Sequence, residues 1–159
     1  MKILHHARRP EASRRQAGTA AVELALMLPI LIVFLTVPIF FARCFWHYTV
    51  AQKAAQDAAR YLSTVSRSEM MSPTLATEAA ALATRIANLE MAELSPGSTI
   101  LPPTVYCDDD NCGISSGNVP AVVRVKIVFN MYDSIFGIVD VGRYGIQITA
   151  NAKVPYVGS

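Results

Sequence analysis

The stretch "AGTAAVELALMLPILIVFLTVPIFFA", residues 17–42, decides the fold of this 159-residue chain. The 19 residues from Leu24 to Ala42 contain no charged side chain. A helix needs about 20 such residues to cross the hydrocarbon core of a bilayer, which is roughly 30 Å thick. Glu23 is the one acid in the stretch. The sequence therefore predicts a membrane helix that carries an energetically costly carboxylate near its start.

The charges on either side of this run indicate its orientation. Residues 1–18 carry five Lys or Arg and one Asp or Glu. The chain from Arg43 onward carries nine Lys or Arg and ten Asp or Glu. Basic segments beside a membrane helix stay in the cytoplasm, so we expect the body on the other side of a lipid bilayer. The leader charges are then topology determinants, and no nucleic-acid partner is expected. Phe45, Trp46 and Tyr48 suit the outer membrane–water interface.

Two other targeting signals fit this segment less well. A cleaved secretory signal has a shorter apolar region followed by a small-residue site, which Phe40 and Phe41 do not provide. A lipoprotein site at Cys44 would need a small residue where Arg43 stands.

Helical periodicity continues beyond the membrane run. One face carries small and apolar residues at spacings of 4, 3, 4 and 3, namely Ala51, Ala55, Ala58, Leu62 and Val65. Small residues allow another helix to pack closely against this face. That helix could belong to this domain or to another subunit. Ser72 and Pro73 predict the start of a second helix. Its expected apolar face is Leu75, Ala79, Leu82, Ile86 and Leu89.

The last third of the chain alternates apolar and polar residues, which is typical of half-buried strands. Residues 121–132 and 144–156 show this pattern, and a shorter strand is expected at Thr104–Cys107. Residues 133–142 are expected to form a helical turn or an apolar loop. The leader, 1–18, lacks periodicity and is expected to be disordered. The predicted fold class is α+β: a long N-terminal transmembrane helix that extends into a small extracytoplasmic domain with a second helix and a short antiparallel sheet.

Cysteines and acids concentrate in "CDDDNC", residues 107–112. Because the body lies outside the cytoplasm, a Cys107–Cys112 disulfide is predicted. The three Asp and one Asn between them are interpreted as a solvated turn, since the order of ligands in a calcium loop is missing. No metal or other cofactor is expected. Cys44 is interpreted as a buried apolar residue, with an intermolecular disulfide as the open alternative.

No catalytic constellation is evident in the sequence. The body beyond His47 contains no histidine, so neither a Ser–His nor a Cys–His nucleophile pair can form there. A membrane-tethered enzyme that uses carboxylates stays an alternative, and it would need Asp133, Asp140 and residues 108–110 to converge. The chain is therefore predicted not to be an enzyme.

The position of Glu23 relative to Gly18 suggests processing. Cleavage after Gly18 would create an α-amine on Thr19, one helical turn from the Glu23 carboxylate or able to meet it from a neighbouring subunit. A residue without a side chain also gives a protease access to the backbone. The alternative is an interfacial Glu that reaches the headgroups. Pro29 and Pro38 inside the run are expected to kink the membrane helix.

Together these residues carry a family resemblance. "GTAAVELALMLP", with Gly18, Glu23 and Pro29, resembles the processing motif of the TadE-like pseudopilins of tight-adherence (Flp, type IVb) pili. "AQKAAQDAARYL", residues 51–62, is similar to the Ala-rich stretch that follows in that family, and "IQITANAKV" resembles its last strand.

The resemblance implies a minor pilin-like subunit of the bacterial inner membrane, with its body in the periplasm or incorporated in the pilus. A prepilin peptidase would cut between Gly18 and Thr19. The implied division is a cleaved leader at 1–18, a transmembrane and assembly helix at 19–42, and a periplasmic pseudopilin domain at 43–159. Further implied partners are other pilins and pseudopilins and the inner-membrane pilus assembly platform. The alternative is an unprocessed, single-pass anchored periplasmic binding module.

Overall fold

The computed structural model describes residues 12–94, 98–114, 118–133, 137, 142 and 144–159. Three helices come first: α1 (Ala12–Ser63), α2 (Arg67–Met71) and α3 (Pro73–Met91). A 3₁₀ turn, Ala92–Leu94, follows α3. The strands are β1 (Ser98–Ile100), β2 (Thr104–Cys107), β3 (Asp110–Asn111), β4 (Val122–Met131) and β5 (Ile146–Pro155). The α+β fold class predicted from the sequence is confirmed.

Helix α1 is long and apolar enough to cross a membrane. It passes through Pro29 and Pro38 without interruption as a helical element. It begins at Ala12 rather than near Thr19, so the expectation of a disordered leader is wrong for residues 12–18. Ala, Arg and Gln are strong helix formers, and an established helix extends readily through them. The same expectation for residues 1–11 lies outside the described residues.

The chain divides into two compact units, Met1–Ile39 and Phe40–Ser159. The second unit contains the sheet and the core. Strand β4 is central: β5 pairs with it from Val122↔Pro155 to Met131↔Ile146. Its other edge pairs first with β2 and then with β1, all antiparallel. Residues 98–107 therefore run along that edge as one interrupted strand, and β3 turns back on β2 to complete a five-stranded sheet.

One face of this sheet forms the core with the helices. The alternation predicted from the sequence is confirmed, because Val123, Val125, Ile127 and Phe129 of β4 are fully buried. The face predicted for the second half of α1 is buried too, from Ala51 to Val65, within this domain's own core. The interpretation that this face packs on the chain's own domain is therefore confirmed.

Helix α3 differs from the sequence prediction in the face that it buries. Its start agrees, with Ser72 at the N-cap and Pro73 in the first turn. Its buried residues, however, are Ala76, Ala79, Ala83, Ala87 and Met91. Leu75, Leu82 and Leu89 are exposed. The prediction followed the larger residues, whereas packing against the core selects the small ones because they let the helix approach closely.

Hydrogen bonds tie the ends of these elements together. Ser66 and Glu69 form a capping box that starts α2, a helix that the periodicity analysis missed. The Tyr156 hydroxyl donates to the Val65 carbonyl oxygen at 2.6 Å, and the Val157 amide donates to the Ser63 carbonyl oxygen at 3.0 Å. The end of the chain is thereby fixed to the end of α1.

Candidate functional site

The predicted processing segment lies on one helical stretch of α1. Gly18, Thr19 and Glu23 are all exposed. Thr19 and Glu23 are four residues apart, the spacing at which side chains of a helix are neighbours. The first turn of α1 contains no acidic residue, so Glu23 is not a cap of this helix start.

The space around Gly18 shows whether the fold requires a glycine at this position. A Cβ added at this position would meet no atom within 4 Å. Glycine inside a helix costs roughly 0.5–1 kcal/mol relative to alanine. The described part of the fold therefore supplies no steric reason for a glycine at position 18, although a larger residue would make the helix more stable.

The predicted disulfide is confirmed: the Cys107 and Cys112 sulfurs are bonded at 2.09 Å. It closes the tight β2–β3 turn, in which Cys107 pairs with Asp110. Cys44 is a free thiol and is buried, as its interpretation as a core residue requires.

The acidic turn inside the disulfide has a structural role that the sequence analysis missed. Asp108 has φ of 59°, in the left-handed region. Its Oδ1 accepts hydrogen bonds from the Ala121 and Val122 amides at 2.9 and 3.0 Å. Asp109 lies 3.7 Å from the Arg124 guanidinium and is highly exposed. In turns, an Asp side chain commonly bonds to a backbone amide two residues ahead. The Asp108 side chain bonds instead to the Ala121 amide, 13 residues ahead, and the sequence pattern does not indicate that partner.

Histidine 47 holds α1 to the turn after α3. Its ring is buried, with Nδ1 2.8 Å from the Arg43 carbonyl oxygen and Nε2 3.3 Å from the Leu94 carbonyl oxygen. Both ring nitrogens therefore face backbone acceptors. The ring also lies 6.3 Å from that of Phe129 on β4. Such a ring is a structural link between helix and sheet.

Two carboxylates, Asp57 of α1 and Glu90 of α3, are neighbours where these two helices pack. Glu90 lies 3.7 Å from the Lys53 ammonium, and the Asp57 carboxylate is close enough to act on its charge. Burial and then the charge of Asp57 raise the pKa of Glu90, and Lys53 offsets part of this increase. Asp133 and the exposed residues 108–110 belong to other parts of the chain, and Asp140 lies outside the described residues. Within the described ranges, no group of three or more His, Cys, Asp or Glu is placed to hold a metal ion.

Comparison with known proteins gives one finding, and it falls on α1. No curated protein and no solved structure gives a significant match to this chain. Residues 18–60, from the predicted processing glycine into the Ala-rich stretch at 51–62, match the family model described as TadE-like protein, which confirms the resemblance to that family.

Proposed function

We propose that this chain is a minor pilin-like subunit, a pseudopilin, for assembly of tight-adherence (Flp, type IVb) pili. The observation that carries the proposal is the TadE-like match over residues 18–60, which begins at Gly18 and includes all but the last three residues of the candidate membrane helix, Gly18–Ser63. In this role α1 anchors the chain in the bacterial inner membrane and joins it to other pilins and to the assembly platform. Residues 43–159 then lie in the periplasm.

Processing by a prepilin peptidase between Gly18 and Thr19 is part of this proposal. Two features support it: the glycine that the fold does not require, and its exposure on a helix outside the packed core. Removing 18 of the 159 residues leaves a mature chain of 141. The basic leader is lost in the same step, and Thr19 gains a positive amine.

Glu23 has a specific role in the proposed mechanism. Its carboxylate lies at the cytoplasmic end of the apolar run. Between Gly18 and Ala42 the sequence contains no basic residue that could pair with this carboxylate. After cleavage, the Thr19 amine of the same or a neighbouring subunit supplies the opposite charge. An ion pair of this kind becomes stronger as water is excluded, so it favours assembly in the membrane.

The proposed role is structural rather than catalytic. Support comes from what the polar groups of the domain do: His47 contacts two carbonyls, and Asp108 accepts two backbone amides. These groups are engaged in holding the fold. A carboxylate enzyme would need acids that converge on a substrate, whereas Asp57 and Glu90, which act on each other's charge, lie on two packed helices beside Lys53.

The second candidate, an unprocessed anchored binding module, differs in one measurable respect. We would express the chain with and without a prepilin peptidase of a tight-adherence system and measure its intact mass. Gly18→Phe should block cleavage, whereas the small residue in Gly18→Ala should permit more of it. Full-length chain in every case would support the anchored module and contradict the proposal.

A further inference from the structure

An apolar groove lies between the second half of α1 and the sheet edge. Its volume is about 280 Å³, close to the lower end of the range for ligand pockets, about 300 Å³. Phe41, Cys44, Phe45 and Tyr48 of α1 form one wall, and Ile148 of β5 forms the other. The surface of the groove is wholly apolar. A lining of this kind suits an apolar ligand.

The position of the groove along the chain indicates its surroundings. Phe41 belongs to the charge-free run that ends at Ala42, and Tyr48 follows six residues later, about 9 Å farther along a helix. If the run fills the hydrocarbon core, these residues cross the boundary between acyl chains and headgroups. Phe45 is 68% exposed and Phe41 is 49% exposed. Large aromatic side chains are favoured at this depth.

The size of the lining residues discriminates between occupants. Helices that pack in membranes approach through small residues, such as Gly, Ala and Ser. Phe41, Phe45 and Tyr48 are bulky, so a second helix could not approach this wall as closely as helices do through small residues. A flexible hydrocarbon chain adapts to an uneven lining.

We propose that this groove takes the acyl chain of a phospholipid from the outer leaflet of the same membrane. The lipid then contacts α1 and Ile148 of β5 together, so the sheet edge rests on the leaflet. This inference requires α1 to lie in a bilayer, as in the proposed function, but it does not require cleavage after Gly18.

The test uses the full chain in phosphatidylcholine vesicles that contain a phosphatidylcholine with a photoactivatable diazirine on its acyl chain. After irradiation, trypsin would release residues 144–153, because it cleaves after Arg143 and after Lys153. Ile148 lines the groove, whereas Thr149 points to the other face of the sheet and serves as an internal control. Fragment masses would locate the lipid adduct.

We expect adducts on Ile148 and on residues 44–53 of α1, with little or none on Thr149. Phe45→Gln, on the opposite wall, should reduce labelling of residues 144–153, and Thr49→Gln, exposed on α1 outside the groove, should not. Both positions are exposed, so folding should be preserved. Retained disulfide bonding of Cys107 and Cys112 would check this.

Three results would overturn the inference. Labelling of α1 without Ile148 would mean that lipid does not occupy the groove. Equal labelling of Ile148 and Thr149 would mean that the sheet is immersed without a specific groove. Labelling of α1 without Ile148, in a chain that native mass spectrometry finds as a dimer, would identify a second copy as the occupant. No labelling of α1 at all would instead contradict the membrane anchor of the proposed function.

Discussion

Leu82 and Ala83 are adjacent in α3, yet Ala83 is fully buried and Leu82 is 48% exposed. The helix thus turns its small side chains to the core and leaves larger ones outside. Ala83 shares that core with Ala51, Ala55 and Ala58 of α1. Side chains this small allow helix backbones to approach closely, and the larger buried side chains come both from the sheet, such as Phe129, and from the helices, such as Leu62.

Ala83→Leu should therefore destabilise the fold, although leucine is a good helix former. Adding volume to a packed core typically costs about 1–3 kcal/mol. The matched control, Leu82→Ala, should change the free energy of unfolding by about 0.5 kcal/mol or less, as surface substitutions do. Chemical denaturation of the full chain in detergent would measure both. A larger cost for Leu82→Ala would show that the leucine face, not the alanine face, is packed.

The Glu90 carboxyl should make stability depend on pH. Because burial and Asp57 raise its pKa in the folded state, the folded chain binds that proton more tightly than the unfolded chain. Protonation of Glu90 therefore stabilises the folded chain. This contribution is fully present below the pKa that Glu90 has in the unfolded chain, and it is lost as the pH rises through the higher pKa of the folded chain.

Comparing unfolding of the wild type and Glu90→Gln across this pH range would isolate the effect. The variant should lose this part of the pH dependence, since Gln does not titrate. The Lys53 pair lost with it contributes little, because the Lys53 side chain is largely exposed and solvent screens its charge. Glu78→Gln, on the exposed face of α3, is the control and should follow the wild type. A variant profile parallel to the wild type would contradict the assignment.

The Cys107–Cys112 disulfide should stabilise the domain modestly. Its partners are five positions apart, and closing so short a loop contributes about 2 kcal/mol in the chain-entropy model. Cys107→Ser with Cys112→Ser should lower the free energy of unfolding by about that amount and leave processing unchanged. Reducing agent should lower the stability of the wild type but not of the double variant. Cys44→Ala should leave the response to reducing agent intact.

Glu23→Ala should allow cleavage but impair assembly, because the new Thr19 amine loses its partner in the membrane. A loss of only about 1.4 kcal/mol at this contact would reduce assembly about tenfold. Glu23→Gln, which keeps the shape without the charge, should behave like Glu23→Ala. Counting pili by electron microscopy would measure assembly, and intact mass would measure cleavage. Normal piliation in either variant would argue against the charge pairing.

Periodicity predicted most of the backbone, because period 2 in β4 and period 3.6 in α1 reflect burial directly. It failed where burial and residue size diverge: in α3 the larger Leu and Ile are at helical spacing, but tertiary packing selects Ala76 and Ala83. Strands β1 and β3 have three and two residues, too few for any period to be visible. The long-range contacts, such as His47 with Leu94, depend on the assembled fold and have no local signal.

Candidate site residues were predictable to a different degree. The pairing of Cys107 with Cys112 followed from compartment and spacing. Gly18 and Glu23 were recognisable because each is costly in its setting, one in a helix and the other beside an apolar run. The groove at Phe41, Phe45 and Ile148 was not predictable, since it joins residues about 100 positions apart and only the pairing of β5 with β4 places Ile148 there.

The mature N-terminus tests the central claim most directly. The chain would be produced with a prepilin peptidase of a tight-adherence system, purified from the membrane fraction, and its intact mass and N-terminal sequence determined. The proposal predicts a chain of 141 residues that begins at Thr19, from removal of 18 of the 159. A membrane-bound chain that keeps residues 1–18 in the presence of active peptidase would contradict it.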